Sequence, residues 1–212
     1  MLEAMARVII RPGEFFTQLS DNPRLGAGAV WVVLLVAVIT TIVGYVSALP
    51  TVDAMGDAVP FGGATLIFGL VAAPLLTFLS WAVNGLLARI GTGMAARPWA
   101  VVGYAMTPQI VLSTLLLVIA ALFPPTLTPI VAAASPEALQ EALTRMTAEM
   151  QASFLGMSLT VSGYLSLGWF LALTYLGLVK TASQPSRALL SVALIGILNF
   201  AVLVLPWLFA PL

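Results

Sequence analysis

The chain has 212 residues, 61% of them apolar and 8% charged, with a formal net charge of zero and neither cysteine nor histidine. So few charges exclude a soluble domain, whose composition is roughly 25% charged, and zero net charge gives nucleic acid nothing to hold. The missing cysteine and histidine exclude disulfides, thiol chemistry, zinc sites built from those residues and a histidine pH switch.

Residues 1–25 are too polar to cross a bilayer. Leu2, Met5, Val8 and Ile9 fall at helical spacing until Pro12-Gly13 interrupts them, and Phe15, Phe16 and Leu19 then form a second short apolar face. Two placements fit this pattern. The segment lies in the headgroup layer with Phe15 and Phe16 inserted, or the same face packs on the protein's own helix ends. A cleaved signal peptide is not expected, because the apolar run that follows is far longer than the usual ~7–15 residues and starts well into the chain.

Residues 26–212 read as one membrane domain. Windows without Asp, Glu, Lys or Arg predict helices over 27–49, 61–88, 99–122, 153–179 and 188–209, each at or above the ~20 residues a crossing needs. With the N-terminus inside and sides alternating, Arg7, Arg11, Arg24, Arg89, Arg97, Lys180 and Arg187 share one compartment. Only Arg145 of the eight basic residues falls outside, with Asp53, Asp57, Glu137, Glu141 and Glu149. Basic residues concentrate on the cytoplasmic side, so five crossings place the N-terminus in the cytoplasm and the C-terminus outside.

The second span carries Gly69 and Ala73 at the spacing of a small-residue packing face, followed by Pro74, Trp81 and Asn84. A short basic loop bearing Arg89 and Arg97 leads to the third span, where Tyr104, Pro108 and Gln109 interrupt the apolar run. Proline lacks an N–H and displaces the carbonyl four residues earlier. The third helix is therefore expected to bend there, with the Tyr104 carbonyl taking a hydrogen bond from Gln109 or a neighbouring helix. Pro74 and Pro206 predict similar bends.

Beyond the prolines at 124 and 125, Ser135-Pro136-Glu137 has the form of a helix start: a capping hydroxyl, proline in the first turn and an acid at the positive end of the dipole. Leu139, Leu143, Met146 and Met150 then share one face, and Glu141 is four residues from Arg145. An outer amphipathic helix is expected over about 136–150, as a partner-binding element, a lid or a connector. In the fourth span Ser158, Ser162 and Ser166 recur every four residues. Helix packing is the expected role of that stripe, and a polar path the alternative. Asn199 lies in the fifth span. An unpaired amide in hydrocarbon is costly, so Asn84, Gln109 and Asn199 are expected to face other helices, while Trp81, Trp99 and Trp207 are expected to anchor span ends.

No span contains an acid, base or histidine, which removes the charge carriers that pumps and proton-coupled carriers rely on. Nor does the chain offer a catalytic triad, paired carboxylates within a span or a metal-ligand cluster. No enzyme activity, metal or cofactor is expected.

The sequence GYAMTP, Gly103-Tyr104 followed by Pro108 after a short basic loop, resembles the third-helix motif of the Yip1 domain family. The segment RPGEFFTQLSDNP resembles the proline-then-phenylalanine segment that leads into that domain in bacterial members. The resemblance implies five membrane helices, a cytoplasmic N-terminus and a C-terminus on the far side. It associates eukaryotic members with Golgi and endoplasmic-reticulum trafficking, some of them binding Rab-type GTPases through a long N-terminal region. Only about 25 residues precede the first helix here, which makes Rab-type GTPase binding doubtful. The alanine- and leucine-rich composition suggests a bacterial cytoplasmic (inner) membrane.

The leading expectation is a non-enzymatic multi-pass protein that organises membrane, lipid or partner proteins through its N-terminus, Phe15 and Phe16 included, and its Arg89–Arg97 loop. Membrane lipids are the first partner, with another membrane protein or a second copy of the chain as further ones. The alternative is a transporter, channel or lipid-moving protein for a neutral or lipid solute. Its candidate polar and kink site comprises Pro74, Asn84, Tyr104, Pro108, Gln109, Ser162 and Asn199.

Overall fold

In lipid a backbone must satisfy its own hydrogen bonds, which long uncharged apolar runs do by coiling into helices. A computed structural model describes residues 2–56, 62–130, 135–181 and 184–208, and every regular element among them is an α-helix. Two short helices come first, α1 (Leu2–Ile10) and α2 (Pro12–Asp21), then the long α3 (Pro23–Met55) and α4 (Gly62–Thr92). The third predicted span is two helices, α5 (Pro98–Ala105) and α6 (Thr107–Leu122). The helix expected between the third and fourth spans is α7 (Pro136–Ala152), followed by α8 (Phe154–Lys180) and α9 (Pro185–Leu208).

Among the described residues five segments are long and apolar enough to span a membrane: Arg24–Met55, Leu66–Thr92, Pro98–Leu122, Phe154–Lys180 and Pro185–Val202. Each coincides with one predicted window. The first is longer than expected, because α3 starts at Pro23, where the Asn22 side chain accepts from the Arg24 N–H at 3.0 Å. It then runs through Pro50 and stops at Gly56, whose φ of 50° is left-handed. One proline removes one ladder bond, which the flanking turns of a long apolar helix tolerate.

The spans form a ring in which α3 packs on α4, α4 on α9, α9 on α8, α8 on α6 and α6 back on α3. The short α5 fills the basic end of this ring, touching α3, α4 and α8. It is the most buried element: Val101, Val102, Gly103, Tyr104 and Ala105 are all enclosed. Close approach around α5 needs glycine at several places. A β-carbon on Gly28 would collide with the Tyr104 hydroxyl, and one on Gly177 with Val101 and Phe16. The Trp81 indole N–H donates to the Trp99 carbonyl at 2.8 Å. Trp81 therefore joins α4 to α5 rather than lying at a span end, because α4 runs well past it to Thr92, whereas Trp99 does lie at the start of the third span.

The N-terminal segment is a helical hairpin docked on the bundle. Met5, Val8, Phe15, Phe16 and Leu19 all enter the main core. Phe15 meets the Tyr104 ring edge to face, with centroids 4.7 Å apart, and α2 packs on α8. Of the two placements the sequence allows, packing on the protein's own helices is the one observed, since ring burial here removes more apolar surface from water than a headgroup layer would.

At the opposite end α7 starts as expected, with the Ser135 hydroxyl accepting from the Ala138 N–H at 3.2 Å. Its apolar face, Leu139, Leu143 and Met146, packs with Leu127, Ile130, Ala54 and Met55 in a small second core. Arg145 pairs with Glu149 at 3.9 Å rather than with Glu141, because Glu149 also receives the Thr128 N–H and hydroxyl, each at 2.8 Å. Asp57 lies outside the described residues, as do the side chains of Pro206 and Trp207.

Candidate functional site

The break between α5 and α6 follows from three adjacent residues. Pro108 sits in the first turn of α6, where its missing N–H has no intrahelical role. The Tyr104 carbonyl it frees is taken by the Thr107 hydroxyl at 2.6 Å, and the Met106 N–H turns to the Gly103 carbonyl at 3.3 Å. The donor is thus Thr107, not Gln109, because a threonine hydroxyl reaches back to the carbonyl three residues earlier, here across the break from α6 to α5. The Gln109 side chain makes no hydrogen bond to another described residue.

Three chambers surround that amide. One, of about 200 Å³, lies between Ser80, Asn84, Met106, Gln109, Ser166 and Asn199. A second, of about 220 Å³, reaches toward α3 past Gln109, Ser113, Ser162 and Ser166 to Thr40. A third, of about 500 Å³, passes between α4 and α9 along Ser80, Asn84, Gln109 and Asn199 to Leu76, Leu79 and Val202. Gln109 borders all three. At 1.5 Å per residue, Asn84 lies about 12 Å from the Thr92 end of α4 and Asn199 about 21 Å from the Pro185 end of α9, so each sits within the length of its apolar span.

The two asparagines are already paired. Asn199 Nδ2 donates to Asn84 Oδ1 at 2.9 Å and to the Ile195 carbonyl at 2.8 Å, while Asn84 Nδ2 donates to Ser80 Oγ at 3.2 Å. By contrast, the side chains of Gln109, Ser113, Ser162 and Ser166 make no hydrogen bond to another described residue. Gln109 and Ser113 are one turn apart on α6, and Ser162 and Ser166 one turn apart on α8. Together they give the chambers both donors and acceptors and no charge.

Of the predicted site, Asn84, Gln109, Ser162 and Asn199 converge here. Pro108 acts through the break. Tyr104 does not face the chambers: its hydroxyl donates to the Leu25 carbonyl at 2.8 Å, tying α5 to the first turn of α3. Pro74 lines none of the three chambers. Its neighbours Gly69 and Ala73 border a separate apolar groove against Gly44, Tyr45 and Ala48 of α3, and a β-carbon on Gly69 would meet nothing within 4 Å. The expected tight packing at that pair is absent.

Phe15 and Phe16 are buried in the core. Arg97, in a left-handed conformation at φ 48°, turns its guanidinium onto the Leu19 carbonyl at 2.6 Å and so closes the C-terminal turn of α2. Arg89 remains exposed. Ser80 and Ser113 were not among the sequence candidates, although each lies four residues from one that was, Asn84 and Gln109. That spacing alone would have found them.

Two comparisons with known proteins return nothing: no curated protein and no solved structure matches this chain. A family model does match. The Yip1 domain covers residues 6–208, from α1 to the last turn of α9.

Proposed function

The chain belongs to the Yip1 domain family, a multi-pass membrane protein, and from that premise we propose that it organises lipid around itself through the chambers at its α5–α6 break, without enzymatic turnover. The observation that carries this reading is a set of four neutral side chains without a hydrogen-bond partner among the described residues, Gln109, Ser113, Ser162 and Ser166, lining one chamber, with Gln109 also bordering a second that opens beside exposed apolar residues of α4 and α9. Unsatisfied polar groups inside a bundle are costly, and a bound polar group or water removes that cost. The separation of basic and acidic residues supports a cytoplasmic N-terminus, and the composition a bacterial inner membrane.

Protein partners find less support in this arrangement. Phe15 and Phe16 are committed to the core and Arg97 to the Leu19 carbonyl, which leaves Arg89, on the last turn of α4, as an exposed cation beside the α4–α5 connection. The apolar face of α7 is likewise taken up by Leu127 and Ile130.

Isolation in a mild detergent, followed by extraction and comparison of bound with bulk membrane lipid, tests the reading. One lipid class is expected to be enriched. Bound lipid that matched the bulk in composition would count against it.

A second reading, movement of lipid or a neutral solute, is favoured by one observation: Gln109 borders chambers that reach both the α3 and α9 sides of the ring. Reconstituted vesicles carrying a headgroup-labelled lipid distinguish the two. Flux above protein-free vesicles, reduced by Gln109→Leu, supports movement.

A further inference from the structure

We infer that the chambers around Gln109 take the uncharged, hydrogen-bonding headgroup of a neutral amphiphile, a diacylglycerol-like lipid, whose tails leave between α4 and α9. This deepens the proposed function and rests on it.

The headgroup chemistry follows from the lining. Gln109 offers one carbonyl and one amide NH₂ with no partner among the described residues, and Ser113, Ser162 and Ser166 offer hydroxyls in the same state. A hydroxyl-bearing headgroup both donates and accepts, so it can meet both ends of the amide. No Asp, Glu, Lys or Arg lines any of the three chambers. A phosphate brought there would shed its hydration with no countercharge to meet it, which is prohibitive at low dielectric.

The tail follows from the mouth. Where the largest chamber opens between α4 and α9, Leu76, Leu79 and Val202 are 62%, 58% and 64% exposed. They belong to spans that face hydrocarbon, so the opening is lateral, into lipid, and a ligand with an apolar body needs no aqueous route. The Asn84–Asn199 pair lines the same chamber and joins its two walls, α4 and α9, at 2.9 Å. Gln109, facing them from α6, is the amide left to meet the ligand.

The test uses the whole protein in detergent micelles with photoactivatable probes: a diacylglycerol, a phosphatidylglycerol of the same chains, and an alkane with no headgroup. The diacylglycerol probe should label residues of α4 and α9 around Leu79 and Leu198. Gln109→Leu should lower that labelling about tenfold, the weight of one or two hydrogen bonds. Because Gln109 bonds to no other described side chain, the variant should melt at or above the wild-type temperature without ligand. Ser166→Ala serves as a second, smaller lesion of the same chamber. Equal labelling by the phosphatidylglycerol or alkane probe, or labelling indifferent to both substitutions, overturns the inference while leaving a lipid-organising role standing. If no lipid probe labels the wild-type protein there, the inference and the reading beneath it fail together.

Discussion

Arg97 shows how much of this fold hangs on single polar contacts. Its guanidinium meets the Leu19 carbonyl at 2.6 Å, a charged bond at the negative end of the α2 dipole. Arg97→Ala should cost about 1.5–3 kcal/mol, read as a lowered melting temperature in detergent and faster proteolysis within residues 2–21. A second residue-level prediction concerns Asn84 and Asn199. Interhelical bonds in membranes average about 0.6 kcal/mol, so a double-mutant cycle with Asn84→Leu and Asn199→Leu should return a coupling of that order. A coupling near zero would mean the 2.9 Å contact does not hold α4 to α9. That amides in the spans turn inward was legible in the sequence, because hydrocarbon leaves them no other favourable direction. Which amide found which partner was not, since that depends on helix rotation, and Gln109 was left free because Thr107 reached the Tyr104 carbonyl first.

Among the elements, the α5–α6 pair is the one whose sequence most directly sets its shape. Pro108→Ala restores the missing N–H and removes the ring that keeps α5 and α6 apart, so the third span should straighten across Met106. The chambers that depend on the break should shrink, with loss of bound lipid at unchanged or higher stability. Thermal melting and lipid extraction on one preparation check both halves. At the other end, α7 is clamped by Glu149, whose carboxylate accepts the Thr128 N–H and then its hydroxyl, with Arg145 adding a smaller attraction. These bonds hold its pKa below the ordinary glutamate value. The clamp should therefore be complete above that ordinary value and be lost as pH falls through the depressed one. Amide exchange at Thr128, corrected for its intrinsic pH dependence, should quicken only in that acidic range. Glu149→Gln should quicken it already at neutral pH. Helix type, the capping of α7 by Ser135 and its apolar face were readable from residue spacing. The Arg145–Glu149 pairing was not, because Thr128 reaches Glu149 across 21 positions in sequence.

For the molecule as a whole, the docked N-terminal hairpin is the largest departure from a plain bundle. Phe16 is wholly buried against the span helices, so Phe16→Ala should cost about 3–5 kcal/mol. A segment resting only in headgroups would lose far less. The five spans, their order and the separation of charge are properties of the sequence by itself. They follow from the cost of placing a charge or an unpaired backbone in hydrocarbon, a cost that each stretch of chain meets locally. Tertiary structure alone decided which faces meet: that α5 fills the ring at its basic end, that α1 and α2 close onto it, and that Gln109, Ser113, Ser162 and Ser166 share a space no helix fills. Association in lipid gains nothing from burying apolar surface and depends on shape and on a few polar contacts, and neither is written in the order of residues along any one helix.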